Sequence, residues 1–503
     1  MSKLRSLVKD TALYGLTTIA ARGLNYVLVP LYANLLTLTE NGVQGIVFSS
    51  IALANILFSY GMETAYLRFA SEKPRDETND ATDHARFSVP QLSLVATSVF
   101  FSALIFLFAE PLSIALGLQA ESNVFVRYAA VILFLDTVAI VPVARLRLLR
   151  RPKQFAFVRL ANVALTILTS ALLVWQFRLG VHGVFIGNIV GSLSSLVLVA
   201  PVFFSIKWRF DQALYREMLR FALPYIPAGI AATLIHFIDR TVLVRLTPAE
   251  SFAIYGKALT GEEVAGIYTR VYALGVLIQL AVQMFRFAWQ PFFLQHGKGN
   301  FADNVETKPL FSRVLTLSTA AIILLSLAAS LFVPDLIETK FFGRLYLLPP
   351  PYWIGLSVLP LLYLSFVFEM LYTNLSAGIL IEKRTGVLPV VTAIGAGATA
   401  LICVVLIPRF GMMGAAMAMA CGSAAIAMGS YYYAQKFYPS HYEWGKVSAV
   451  LGLATVFYLV SLYLHFTLLS KAALFFTFAA LIAILFRRES LRVLRQLRPE
   501  RPT

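Results

Sequence analysis

Residues 178–204 read RLGVHGVFIGNIVGSLSSLVLVAPVFF, and residues 409–435, 231 positions further along, read RFGMMGAAMAMACGSAAIAMGSYYYAQ. Each opens on the same turn signal, Arg-x-Gly-x-x-Gly (Arg178, Gly180, Gly183; Arg409, Gly411, Gly414), and runs on into an apolar stretch rich in small residues. About 20 such residues are enough to cross a bilayer as a helix. The same offset carries the basic run Arg150, Arg151, Lys153 onto Glu382, Lys383, Arg384, so the match extends beyond one motif. The two stretches therefore predict equivalent spanning helices in an internal repeat.

Working outward, apolar runs mark spans at 11–36, 42–67, 87–109, 122–144, 155–177, 182–206, 221–244, 264–293, 314–334, 352–381, 385–407, 412–435, 447–467 and 472–486, fourteen in all. Spans 1–6 and 7–12 form the two copies, and because six is even the copies run parallel. The predicted fold class is an all-α polytopic membrane protein of about 14 transmembrane helices. Two parallel six-helix bundles surround a central cavity, with two extra C-terminal helices outside the repeat. Residues 1–214 form the first bundle, 215–440 the second, and 441–503 helices 13 and 14 with a basic cytoplasmic tail.

Composition agrees: 58% of residues are hydrophobic, 14% are charged and mean hydropathy is +0.74, which excludes a soluble enzyme. Cys403 and Cys421 lie in apolar runs without metal-ligand or CxxC spacing, so no metal, cofactor or disulfide framework is expected. The net charge of +16 would suggest nucleic acid in a soluble chain. Here 29 of the 42 Lys and Arg fall on the side that holds the two termini and the connections after even-numbered spans, and 7 on the other. That asymmetry is the positive-inside bias, placing both termini in the cytoplasm and removing nucleic acid as a partner. The basic start (Lys3, Arg5, Lys9) leads into a run too long for a signal peptide and reads as a retained helix. In the tail, Arg488, Arg492, Arg495 and Arg498 form a helical stripe suited to anionic headgroups or to setting topology. The loops are short and no phosphate-cradling loop occurs, which argues against an external catalytic domain and against direct ATP drive.

Six arginines remain in or at the edges of spans: Arg22, Arg68, Arg127, Arg240, Arg270 and Arg286. A mid-helix arginine costs about 2.5 to 3.5 kcal/mol on the insertion scale, so these should face protein or water. A guanidinium in a wet cavity suits phosphate or diphosphate, because its planar fork binds bidentately and never loses its charge. Arg22, mid-way through span 1, reads either as such a receptor or as one half of an ion pair with Asp136, Glu369 or Asp239. Arg270 and Arg286, sixteen residues apart in span 8, form a basic track or snorkel to the two interfaces. Arg68 closes span 2 after Glu63. In span 7, His236, Asp239 and Arg240 cluster within about a turn, a grouping that could relay a proton or hold a sodium ion. Pro224 and Pro227 loosen the start of that span. The candidate substrate residues are thus Arg22, Arg270, Arg240 and Arg68, and the candidate ion-coupling residues Asp239, Asp136, Glu369 and His236. Gly395-Ala-Gly-Ala-Thr-Ala400 imitates a dinucleotide fingerprint but lies inside span 11, where small residues serve helix packing.

Several segments resemble the polysaccharide (O-antigen-type) flippases of the multidrug/oligosaccharidyl-lipid/polysaccharide (MOP) exporter superfamily. They are the basic start leading to Arg22 and Val-Pro-Leu-Tyr-Ala33, the close of span 2 at Gly61 to Arg68-Phe69, and residues 219–294. The last stretch holds LRFALPYIPAGI, Asp239-Arg240, AGIYTRVYALG and FRFAWQPFF in family order. The resemblance implies a flippase that moves undecaprenyl-diphosphate-linked oligosaccharide from the cytoplasmic to the outer leaflet of a bacterial inner membrane by alternating access. It would serve polysaccharide biosynthesis such as O-antigen for lipopolysaccharide. It also implies a Na+ or H+ coupling ion, the cavity roles of Arg22 and Arg270, membrane lipids around the chain, and polymerase and other assembly proteins as partners. Lipid II flippases of the superfamily share the count of fourteen spans. A multidrug exporter would favour an acid-rich cavity over six arginines, and a membrane-embedded polymerase or ligase would carry a long external loop.

Overall fold

The computed structural model describes residues 17, 20, 23–71, 80–149, 151–204, 208–296, 307–341, 345–382, 384–464 and 466–486. Arg22 and the stripe Arg488, Arg492, Arg495, Arg498 lie outside them. In chain order the helices are α1 (Leu28–Leu35), α2 (Leu38–Ser59), α3 (Met62–Ser71), α4 (Asp80–Leu107), α5 (Ala109–Ala115), α6 (Asn123–Leu148) and α7 (Pro152–Ala171). There follow α8 (Gly180–Phe204), α9 (Gln212–Ala222), α10 (Tyr225–Leu234), α11 (Ile238–Leu243), α12 (Pro248–Tyr255) and α13 (Gly261–His296). The chain ends with α14 (Thr307–Glu338), α15 (Leu359–Ile381), α16 (Val387–Phe410), α17 (Met412–Phe437), α18 (Trp444–Tyr463) and α19 (Leu468–Leu485). Among the described residues, β structure is limited to the two-residue pair β1 (Lys340–Phe341) and β2 (Leu345–Tyr346).

Twelve helices among the described residues are long and apolar enough to cross a membrane, and they coincide with expected spans 2–6 and 8–14. The first expected span lies largely outside the described residues. The seventh, expected as one helix over 221–244, is instead divided among the end of α9, α10 and α11. Pro224, which lacks an N–H, stands at the first break. At the second, the N–H groups of His236 and Phe237 turn to the carbonyls of Thr233 and Leu234 at 3.0 and 3.1 Å, three residues back instead of four. That tighter winding frees backbone around His236, a feature that the proline pattern alone did not signal.

The chain divides into two compact units, residues 1–273 with 400–415, and 274–399 with 416–503. In the first, α6 lies against α4 and α8, and α7 packs along α8. Its core includes Met62, Tyr66, Phe87, Leu94 and Met218. In the second, α14 is flanked by α15, α18 and α19, over a core that includes Leu315, Leu375 and Val447.

The repeated turn is the same in both places. Gly180 and Gly411 take φ of +54° and +57°, a left-handed conformation in which an L side chain is strained. The next N–H is captured each time by a side chain from an earlier segment. Val181 N donates to Glu40 Oε1 at 3.0 Å, and Met412 N donates to the Tyr255 hydroxyl at 2.6 Å. A Cβ on either glycine would collide with that same acceptor. Burial pushes the Tyr255 phenol up to about 12, so it stays neutral, while the bond from Met412 N opposes the rise.

Candidate functional site

Three groups of polar side chains sit inside the helices. The first forms where α2 crosses α13. Both helices start on a capping box, Thr37 with Glu40 and Thr260 with Glu263, which fixes where each begins. Gly42 and Gly266 let the backbones touch: a Cβ on Gly266 would strike the Leu38 carbonyl, and one on Gly42 the Glu262 carbonyl. The close approach brings Arg270 of α13 against the first turns of α2. Its guanidinium is 4% exposed, donates from Nε to Asn41 Oδ1 and from Nη2 to Gln44 Oε1, and lies 5.2 Å from the Tyr32 ring centre. Asn41 is itself held, its Nδ2 donating to the Thr37 carbonyl at 2.8 Å, so its oxygen is turned to the arginine. These two acceptors are neutral amides. They take two of the guanidinium's N–H groups and carry no charge of their own.

In the second group the charge is cancelled. Asp239 is fully buried at the start of α11, and its Oδ1 lies 3.2 Å from Arg240 Nη1. Arg240 Nη1 also donates to the carbonyl of His236 at 2.7 Å, one of the groups loosened by the break before α11. The guanidinium stands 4.5 Å over Tyr272 and 5.6 Å from Tyr268, and the Tyr272 hydroxyl lies 3.1 Å from His236 Nδ1. The span-7 cluster is therefore one network of ion pair, imidazole and two phenols.

The third is a polar cavity of about 460 Å³ bounded by α2, α6, α7 and α8. Asp136 lines it together with Asn55, Arg159, Asn162, Asn188 and Ser192. Asn162 Nδ2 donates to Ser195 Oγ at 3.0 Å. Sequence reasoning reached Asp136 but missed the three asparagines and Arg159 as its neighbours. The available signal was an amide within an apolar stretch of each of three spanning helices, at Asn55, Asn162 and Asn188.

Of the other charged residues, Glu63 also lines this polar cavity. Glu369 pairs with Arg286 at 3.1 Å in the second unit, where Arg286 Nη2 also reaches Thr373 Oγ1 at 3.1 Å. Arg286 is thus an ion-paired residue and not the far end of a free basic track. Arg68 is exposed in α3, 4.4 Å over the Phe221 ring, and Glu63 pairs with Arg147. Among the described residues no three His, Cys, Asp or Glu come together as a metal site.

Residues 7–296, more than half of the chain, match the model of a family described as polysaccharide biosynthesis protein. The chain belongs to that family. No curated protein matches it in sequence. Among solved structures it is similar to the lipid II flippase MurJ in an inward closed conformation, at a TM-score of 0.72 with 14% identity over 95% of this chain and 99% of that one. An inward-facing multidrug resistance MATE family transporter of the MOP superfamily gives 0.60 with 15% identity over 87% and 95%. A MOP superfamily transporter from Pyrococcus furiosus, described as having a binding pocket of reverse polarity, gives 0.55 with 14% identity over 85% and 95%. The fold is that of the MOP transporters, and the chain is a multi-pass membrane protein.

Proposed function

We propose that this protein is a flippase that carries undecaprenyl-diphosphate-linked oligosaccharide from the cytoplasmic to the outer leaflet of a bacterial inner membrane for polysaccharide assembly. The observation that carries the reading is Arg270, a buried guanidinium held at Nε and Nη2 by the amides of Asn41 and Gln44, a permanent cation whose planar fork suits a diphosphate and would repel a cationic drug. Family membership supports the polysaccharide pathway over the lipid II alternative. Asp136 in its polar cavity, or Asp239 with His236, would take the Na+ or H+ that drives the cycle. Such an ion biases the carrier only through its different affinity for the two end states.

The test is depletion in the host followed by mass spectrometry of the extracted polyprenyl lipids. Accumulation of a lipid-linked repeat unit is expected, with rescue by the wild type and not by Arg270→Met. Accumulation of lipid II in its place would move the protein to peptidoglycan synthesis, and accumulation of neither would sink the proposal.

A further inference from the structure

A second cavity, of about 650 Å³, opens in the first unit where α6 turns into α7, and it shares only the apolar Val158 with the polar cavity above. Arg145, Arg151 and Lys153 line its polar side, together with Gln154 and no carboxylate. None of the three cations has a carboxylate partner among the described residues. The start of α7 adds to them. Arg151 is its N-cap residue, Pro152 opens the helix, no side chain caps the end and no acid stands in the first turn. The first N–H groups of a 20-residue helix have no partner within the helix, and its dipole puts partial positive charge there. The three cations and the uncapped helix start are two separate sources of positive potential at this cavity.

The opposite wall is apolar, built from Leu146, Leu149, Phe157, Leu198 and Val202. Leu149 is 46% and Phe157 63% exposed, so this wall is open on its outer side, where a spanning protein meets acyl chains. The level of the cavity is marked by aromatic residues. Arg145 lies 5.2 Å over the Phe87 ring, Trp208 packs edge-on to Phe87 at 6.3 Å, and Trp208 stacks on Phe203 at 6.2 Å. Tryptophan gathers at headgroup depth because one end of its ring is apolar and the other wet. A phosphate binding here would sit at the boundary between headgroups and hydrocarbon, with its tails along the apolar wall.

We infer that this cavity binds the phosphate headgroup of an anionic bilayer phospholipid, holding it at the α6–α7 turn. A carrier-lipid diphosphate offers similar chemistry. The phospholipid is the better fit because the cavity is open to the bilayer and lies on other residues than the Arg270 group. The inference stands independently of the transport reading.

The test is native mass spectrometry of the full-length protein released from vesicles of phosphatidylglycerol and phosphatidylcholine in equal parts. Wild type should retain phosphatidylglycerol at least tenfold in preference, and Arg151→Gln/Lys153→Gln should lose that preference. Leu149→Glu, which sets a carboxylate in an exposed wall position, should lose it too, with each variant's Tm checked against wild type. Equal retention of both lipids by wild type, or an undiminished preference in the variants, overturns the inference. In a further arm with added polyprenyl diphosphate, displacement of the phosphatidylglycerol that these variants abolish would reassign the cavity to the carrier lipid. Failure to displace it keeps the assignment.

Discussion

Arg270 and Arg240 are both buried arginines in the first unit, and their surroundings give them opposite consequences. Arg240 is balanced by Asp239 at 3.2 Å, so removing either partner strands a buried charge. Asp239→Asn should therefore destabilise by about 3 to 5 kcal/mol, and the double change Asp239→Asn/Arg240→Met should recover most of it, read as Tm in a double-mutant cycle. A double variant no more stable than the single one would show that the pair does not act as a unit. Arg270→Met removes two hydrogen bonds to neutral amides and should therefore lower Tm by less than breaking the buried Asp239 pair does. Its loss should appear in transport, where a charge-assisted bond worth about 2 kcal/mol makes roughly a thirtyfold deficit. The charges themselves were legible in the sequence, since an arginine in an apolar run is conspicuous. Their partners were not: Asn41 and Gln44 lie 229 and 226 residues from Arg270 in sequence, and only packing brings them together.

At the scale of elements, the crossing of α2 and α13 depends on the absence of side chains. A leucine at Gly266 would drive a side chain into the Leu38 carbonyl and the Gly42 backbone. Gly266→Leu should therefore lower both folded yield and Tm, whereas Gly256→Ala, with open space around its Cβ, costs only the strain of φ +67°. The turn at Gly411 has a pH signature. The Tyr255 phenol is held up to about 12 against an ordinary value near 10, so its contribution is complete below about pH 10 and is lost as pH rises towards 12. Tyr255→Phe should remove that alkaline loss from the Tm profile; an unchanged slope between pH 10 and 12 would place its cause elsewhere. The helices were largely legible because a membrane demands long apolar runs, and twelve of the fourteen appear as expected. In the seventh span Pro224 marked the first break, but the second, at His236, was not legible, because a helix can change from four-residue to three-residue bonding without a proline or glycine to announce it.

For the whole molecule, the proposed reading is of a carrier driven by an ion running downhill, and that coupling can be tested directly. Purified protein in vesicles should flip its lipid-linked substrate under one imposed gradient, Na+ or H+. Asp136→Asn should abolish the response to that gradient while leaving the ATP-independent exchange of substrate. Full gradient response in that variant would remove Asp136 from coupling and turn attention to Asp239 and His236.

The amides under Arg270 also set an order in time. Asn41 and Gln44 leave the ribosome 229 and 226 residues ahead of the arginine they hold, an interval of about 10 to 50 s at ordinary rates of synthesis. When α13 emerges, α2 has already been made, and the cation can dock on waiting acceptors in place of lipid. A circular permutant translated with α13 ahead of α2 would have to insert that charge unaccompanied, and its defect would lie in biogenesis, before any transport begins.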